Sequence, residues 1–107
     1  MATSKLPKEY AQVAVVAEQM LSGQIHYLDG ALQLSRLRHA VGAYENDPDF
    51  FPFIGINHEI DNLPIPGGFE YADQTLRNQY ESEINASVEW AKAHSLHQCQ
   101  ALAERFG

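Results

Sequence analysis

Apolar side chains recur at steps of three and four residues on both sides of the central part of this chain. In the first part the repeat consists of Tyr10, Val13, Ala17, Met20 and Leu21. Such spacing places apolar side chains along one face of a helix. Pro7 stands where a helix can begin without losing a hydrogen bond, and Gly23 stands where one can end. The sequence therefore predicts a first helix over residues 7–23.

The same spacing predicts three more helices. The second covers residues 26 or 27 to 42. The third begins after Asp73, which is the expected N-cap, and ends at Ser95. The fourth covers residues 96–106, because Ser95 followed by Gln98 has the spacing of a capping box. Cys99 falls on its inward face, together with Leu96 and other apolar residues.

The central segment, residues 43–71, has a different composition. It contains four of the five prolines, three glycines and the cluster Phe50, Phe51 and Phe53. Asp47 followed by proline is typical of a helix start, so a short helix is predicted over residues 48–57 with irregular chain after it. The predicted fold class is all-α: a single helical domain over residues 1–107. It is a bundle of about four main helices plus a short helix in the Pro/Gly-rich segment.

Acidic residues are concentrated in this central part. The formal net charge is −7, and residues 39–76 contain seven acidic side chains and no Lys or Arg. Such a surface repels nucleic acid and anionic lipid and attracts cationic partners. The same charge could also serve solubility alone. We therefore expect no nucleic-acid partner.

Three features indicate where such a protein resides. No apolar run approaches the length of a membrane span, so no membrane partner is expected. Residues 1–8 lack the layout of a secretory signal. The single cysteine, Cys99, cannot form an internal disulfide. We expect a soluble cytoplasmic protein.

Few residues suggest chemistry. Asp47 and Asp49 have the spacing that opens a calcium loop, but Pro52 takes the position of the turn glycine. His58 and Glu59 could supply a base and an acid, but no third group is identifiable to orient them. The sequence therefore predicts no catalytic residue and no cofactor.

Two histidines near a cysteine form the other candidate site. His94, His97 and Cys99 are of the types that bind zinc. The predicted helix break at Ser95 separates the two histidines, and Cys99 lies on the inward face. A core cysteine with two solvated histidines is the favoured interpretation, so no metal site is predicted.

A contact surface with an apolar centre and a charged edge is the predicted site. Its aromatic side chains alternate with carboxylates, a pattern typical of protein recognition surfaces. The predicted partner-binding residues are Asp47, Asp49, Phe51, Phe53, Glu59, Asp61, Glu70 and Asp73. Trp90, half a turn from the apolar face of its helix, could be either an exposed anchor or part of the core.

The segments DPDFFPF (residues 47–53) and EIDNLP (residues 59–64) resemble those of a group of small acidic helical bacterial proteins. Small acidic proteins of this helical type are similar to immunity proteins of contact-dependent growth inhibition systems. The resemblance implies a protein that binds a toxic domain, often a nuclease, and blocks it.

The resulting hypothesis is a non-enzymatic immunity protein that neutralises a cationic toxin domain by covering its active site. A ribonuclease is the expected toxin, bound by a monomer in a one-to-one complex. The alternative is a small bacterial adaptor or regulatory module that binds an endogenous basic protein. A third possibility is a small enzyme that works through His58 and Glu59.

Overall fold

The computed structural model describes residues 7–43 and 47–107, and these residues contain five helices and no strand. The helices are α1 Pro7–Ser22, α2 Tyr27–Ala40, α3 Phe51–Asp61, α4 Gln74–Gln79 and α5 Glu81–Arg105. The predicted all-α class is confirmed. Residues 1–6 and 44–46, which include Glu45 of the acidic segment, lie outside the described residues.

The first two helices form a hairpin with nearly the predicted ends. After α1, Gly23 adopts a positive φ of 81°, which favours glycine and turns the chain toward α2. Gly30 of α2 lies where the two helices come close, because a Cβ atom there would collide with the side chain of Met20. A glycine inside a helix usually costs stability, and here it permits the close approach of α1 and α2.

Helix α5 is the long element against which the other four helices pack. Its end lies beside the start of α1, where the rings of Tyr10 and Phe106 are 5.2 Å apart between centroids. The ring of Phe50, just before α3, contacts the same Phe106 at 5.9 Å. The starts of α1 and α3 therefore both lie beside the end of α5. The buried apolar residues of these helices and of α2 form one core cluster.

The predicted helix break at Ser95 is wrong, because α5 continues through this residue. The Ser95 side chain is 1% exposed. Its Oγ donates to the carbonyl oxygen of Ala91 at 2.6 Å and lies 2.7 Å from the hydroxyl of Tyr27. Both bonds satisfy the hydroxyl within the core, so this serine has no need to cap a helix. Leu96, predicted to face inward, is 41% exposed.

The chain instead breaks earlier, at Tyr80. Asp73 caps α4 as predicted, since its Oδ1 accepts from the backbone N–H of Leu76 at 2.9 Å. Helix α4 has only six residues, and Tyr80 leaves the helical region at φ −107° and ψ 26°. The predicted long third helix is therefore two helices joined at this residue.

The short central helix exists, but it begins and ends three to four residues later than predicted. The side chain of Asp47 accepts from the N–H of Asp49 and forms a turn rather than a helix cap. Pro52 is the second residue of this helix, where a backbone N–H would have no partner within the helix, so its absence loses no hydrogen bond. No helix in the described part of the chain is long and apolar enough to cross a membrane.

Candidate protein-binding groove

A shallow apolar groove runs along the outer surface between α3 and α5. It has a volume of about 380 Å³. Its lining residues are Phe51, Pro52, Ile54, Gly55 and His58 of α3 with Trp90 and His94 of α5. We refer to these seven residues as the α3–α5 groove.

The start of α3 explains why aromatic side chains lie on both sides of this helix. Successive helical residues are rotated by about 100°, so Phe50 and Phe53 face the core while Phe51 faces outward. Phe50 and Phe53 are 0% exposed, whereas Phe51 is 61% exposed. Gly55 has no side chain to fill the groove, and the space beside it is open, because a Cβ atom built on it would meet nothing within 4 Å.

On the α5 side of the groove, Trp90 is held against the next turn of its helix. Its ring lies 4.7 Å from the imidazole of His94, and the two planes are tilted by 36°. The Nδ1–H of His94 donates to the carbonyl oxygen of Trp90 at 2.8 Å. The hydrogen bond fixes the imidazole, and the imidazole in turn supports the indole of Trp90, which is 40% exposed. A pre-positioned aromatic side chain loses little entropy when a partner covers it.

Two of the predicted partner contacts, Asp47 and Asp49, are paired within the fold. One Nη atom of Arg105 lies 3.1 Å from Oδ1 of Asp47 and 3.1 Å from Oδ2 of Asp49. The other lies 3.1 Å from Oδ2 of Asp47. These hydrogen bonds from the guanidinium lower the pKa of Asp47 below its ordinary value. The pair of carboxylates therefore fastens the start of α3 to the end of α5.

A third predicted contact, Glu70, is paired with Arg36 of α2. The guanidinium donates two hydrogen bonds to its carboxylate, at 2.7 and 2.8 Å. These bonds lower the pKa of Glu70. Asp73 is exposed but has a structural role as the cap of α4. The charge of Glu70 is therefore offset by Arg36, and the carboxylate of Asp73 is hydrogen-bonded to the first turn of α4.

The remaining predicted residues have different surroundings. Glu59 is partly buried, Asp61 is exposed, and neither forms an ion pair with the residues that the structure describes. Phe53 is fully buried, so its ring belongs to the core and cannot contact a partner in this fold. Of the predicted set, only Phe51 lines the α3–α5 groove.

Several groove residues were not among the predicted contacts. Ile54 looks like a core residue in an apolar run, and His94 was assigned to solvent. The position of Trp90 off the apolar stripe of its helix was the one available signal. An aromatic residue that breaks the inward periodicity of a helix indicates an exposed anchor when the surface around it is apolar.

A second, more polar pocket of about 450 Å³ lies along α2. It is lined by Ile25, His26, Asp29, Leu32, Gln33, Arg36 and Glu70. His26 caps α2, because its Nδ1 accepts from the N–H of Leu28 at 3.2 Å. Burial lowers the pKa of His26 below its ordinary 6.5. Arg77 and Lys92 act in the same direction, and the nearby carboxylate of Asp29 opposes them.

The lowered pKa of His26 gives a testable pH dependence. Below pH 6.5 the unfolded chain takes up a proton at His26 more readily than the folded protein. We expect the unfolding temperature to fall as the pH is lowered from 7 toward 5. His26→Asn retains a capping oxygen and should flatten this slope. Thermal unfolding followed by circular dichroism at several pH values measures it, and an equally steep slope in the variant would contradict the assignment.

Within residues 7–43 and 47–107, no group of three or more His, Cys, Asp or Glu side chains is arranged to hold a metal ion. The thiol of Cys99 is buried, and burial raises its pKa to about 11. No family model, curated protein or solved structure matches the chain.

Proposed function

We propose that this chain is an immunity-type protein that binds a cationic toxin domain, with a ribonuclease as the expected toxin. The α3–α5 groove and the carboxylates of the central segment would cover the active site of that domain in a one-to-one complex. The observation that carries the proposal is the exposure of Phe51 and Trp90 on either side of one apolar groove.

The apolar part of the surface supports protein binding. Phe51 and Trp90 are large, exposed aromatic side chains, and aromatic residues of this kind supply much of the energy of protein interfaces. The flanking residues Pro52, Ile54 and Gly55 are apolar or lack a side chain, so a partner could exclude water from the whole groove.

The charge of the chain supports a basic partner. A nuclease must attract phosphate, so its active-site cleft is positively charged, and a protein of net charge −7 is drawn toward it. We assign this attraction mainly to Glu59 and Asp61, because neither is paired with an arginine of the described chain. The paired Asp47, Asp49 and Glu70 contribute less, since arginines already offset their charges.

The experiment uses the C-terminal domain of the protein encoded directly upstream of this chain in its host. Glu59→Lys combined with Asp61→Lys should weaken binding to that domain about 10- to 100-fold at low salt. The free energy of unfolding should change by no more than about 1 kcal/mol, because Asp61 is exposed and Glu59 is only partly buried. Isothermal titration calorimetry at low and high salt measures the affinity.

Glu9→Lys combined with Glu18→Lys is the matched control, since it makes the same change of charge on α1. It should reduce affinity far less than the first pair. Equal losses in the two double variants would contradict the assignment of the attraction to Glu59 and Asp61. If the upstream domain is not toxic, or is toxic but not neutralised by this chain, the immunity proposal fails and the adaptor alternative takes its place.

A further inference from the structure

We infer that the α3–α5 groove receives a basic amphipathic helix of the partner protein. This inference deepens the proposed function, because it names the chemistry of the segment that the groove binds. It makes its own prediction, however, since a groove of this shape and charge should bind such a helix whatever protein carries it.

The shape of the groove fits a helix. Phe51 and His58 are seven residues apart on α3, which is about 10 Å or two helical turns. The groove lies between two packed helices, α3 and α5, where the ridge of a third helix can pack. An incoming helix would place residues i, i+3 or i+4, and i+7 against it. The described residues contain no strand, so they offer no sheet edge to an extended peptide.

The charges around the groove fit a basic helix. Glu83 lies seven residues before Trp90 on the same side of α5, and the chain as a whole carries a net charge of −7. No Lys or Arg of the described chain lines the groove. Lys92, the one lysine of α5, lies near the ring of Tyr27 of α2 at 5.7 Å instead.

The same charges disfavour the other occupants of an apolar groove. A second copy of the chain carries the same net charge of −7, so two copies repel each other. An anionic membrane surface is repelled for the same reason. A partner segment with apolar residues on one face and Lys or Arg on the others complements both the apolar groove and the net negative charge of the chain.

The groove contains its own reporter, because Trp90 is the single tryptophan of the chain. The probe is a designed 15-residue peptide without tryptophan or tyrosine. It has leucines at positions i, i+4 and i+7 and lysines or arginines elsewhere. Its two controls are an acidic peptide with the same leucines and a basic peptide of identical composition whose scrambled order forms no apolar face.

Titration of the full chain with the basic amphipathic peptide should shift Trp90 emission to the blue and saturate. We expect it to bind at least about tenfold more tightly than either control, and to weaken as salt is added. Gly55→Leu should abolish the shift, because the new side chain points into open space in the groove. Val15→Ala, an exposed position on α1, is the control and should leave binding unchanged.

The inference is overturned if emission does not respond to the basic peptide, if the acidic or scrambled peptide binds equally well, or if Gly55→Leu binds as well as the unaltered protein. A circular dichroism melt confirms that Gly55→Leu is folded, and Phe51→Ala serves as a second groove variant. Toxin neutralisation without peptide binding would overturn the helical occupant and leave the immunity role standing. Peptide binding without toxin neutralisation would overturn the immunity role and leave the helical occupant standing.

Discussion

Phe53→Ala is expected to destabilise the protein by about 3–5 kcal/mol, whereas Phe51→Ala should change its stability by no more than about 0.5 kcal/mol. The two residues are two positions apart on α3 but have opposite environments: Phe53 is 0% exposed and Phe51 is 61% exposed. Truncation of Phe53 removes its apolar contacts and leaves a cavity in the core. Truncation of Phe51 leaves no cavity, since most of its ring is already in water.

Urea unfolding followed by circular dichroism at 222 nm measures both changes in the free energy of unfolding. The Phe53 variant is expected to have a much lower midpoint with its helical signal intact in the absence of urea, provided that enough of it remains folded. Similar urea midpoints for the two variants would mean that α3 is rotated about its axis relative to the core. Other residues would then line the groove.

Phe51→Ala and Trp90→Ala are each expected to weaken binding of the cationic partner domain by about 30-fold or more. This corresponds to a loss of about 2 kcal/mol, which is typical of a central aromatic contact. The loss should be found mainly in a faster dissociation rate, because apolar contacts act after the charges have brought the proteins together. Surface plasmon resonance separates the two rate constants.

Val15→Ala is the matched control for these variants, because it removes an apolar side chain that is 49% exposed on a different helix. Its affinity should remain within about twofold of the unaltered protein. If the groove variants also bind within twofold, the partner contacts another surface, and the exposed aromatic residues do not mark the site.

The first two helices were predictable because their ends carry local signals. Pro7 and Gly23 bracket α1, and the apolar spacing between them has no competing interpretation. Later boundaries depended on contacts that sequence spacing does not contain. Ser95 has the sequence pattern of a cap, but its hydroxyl is satisfied by Ala91 and Tyr27, and Tyr27 is 68 residues away.

The candidate site was predictable in kind but not in detail. A central aromatic and acidic segment indicates a contact surface, and the structure does expose Phe51 there. Sequence alone did not show that Arg36 and Arg105, both outside the acidic segment, are paired with Glu70, Asp47 and Asp49. Net charge counted along the chain is not the charge of a surface, because folding brings distant arginines to these carboxylates.

The antiparallel pairing of α1 with α5 has a consequence for the order of folding. Tyr10 packs on Phe106, and the thiol of Cys99 lies 3.5 Å from the carbonyl oxygen of Ala17. These contacts join residues separated by most of the chain, so they form only after a large loop has closed. On the ribosome, α1 can pack against α2 alone until α5 has been synthesised. The remaining apolar surface of α1 is exposed during that interval, when the nascent chain is most open to chaperones and aggregation.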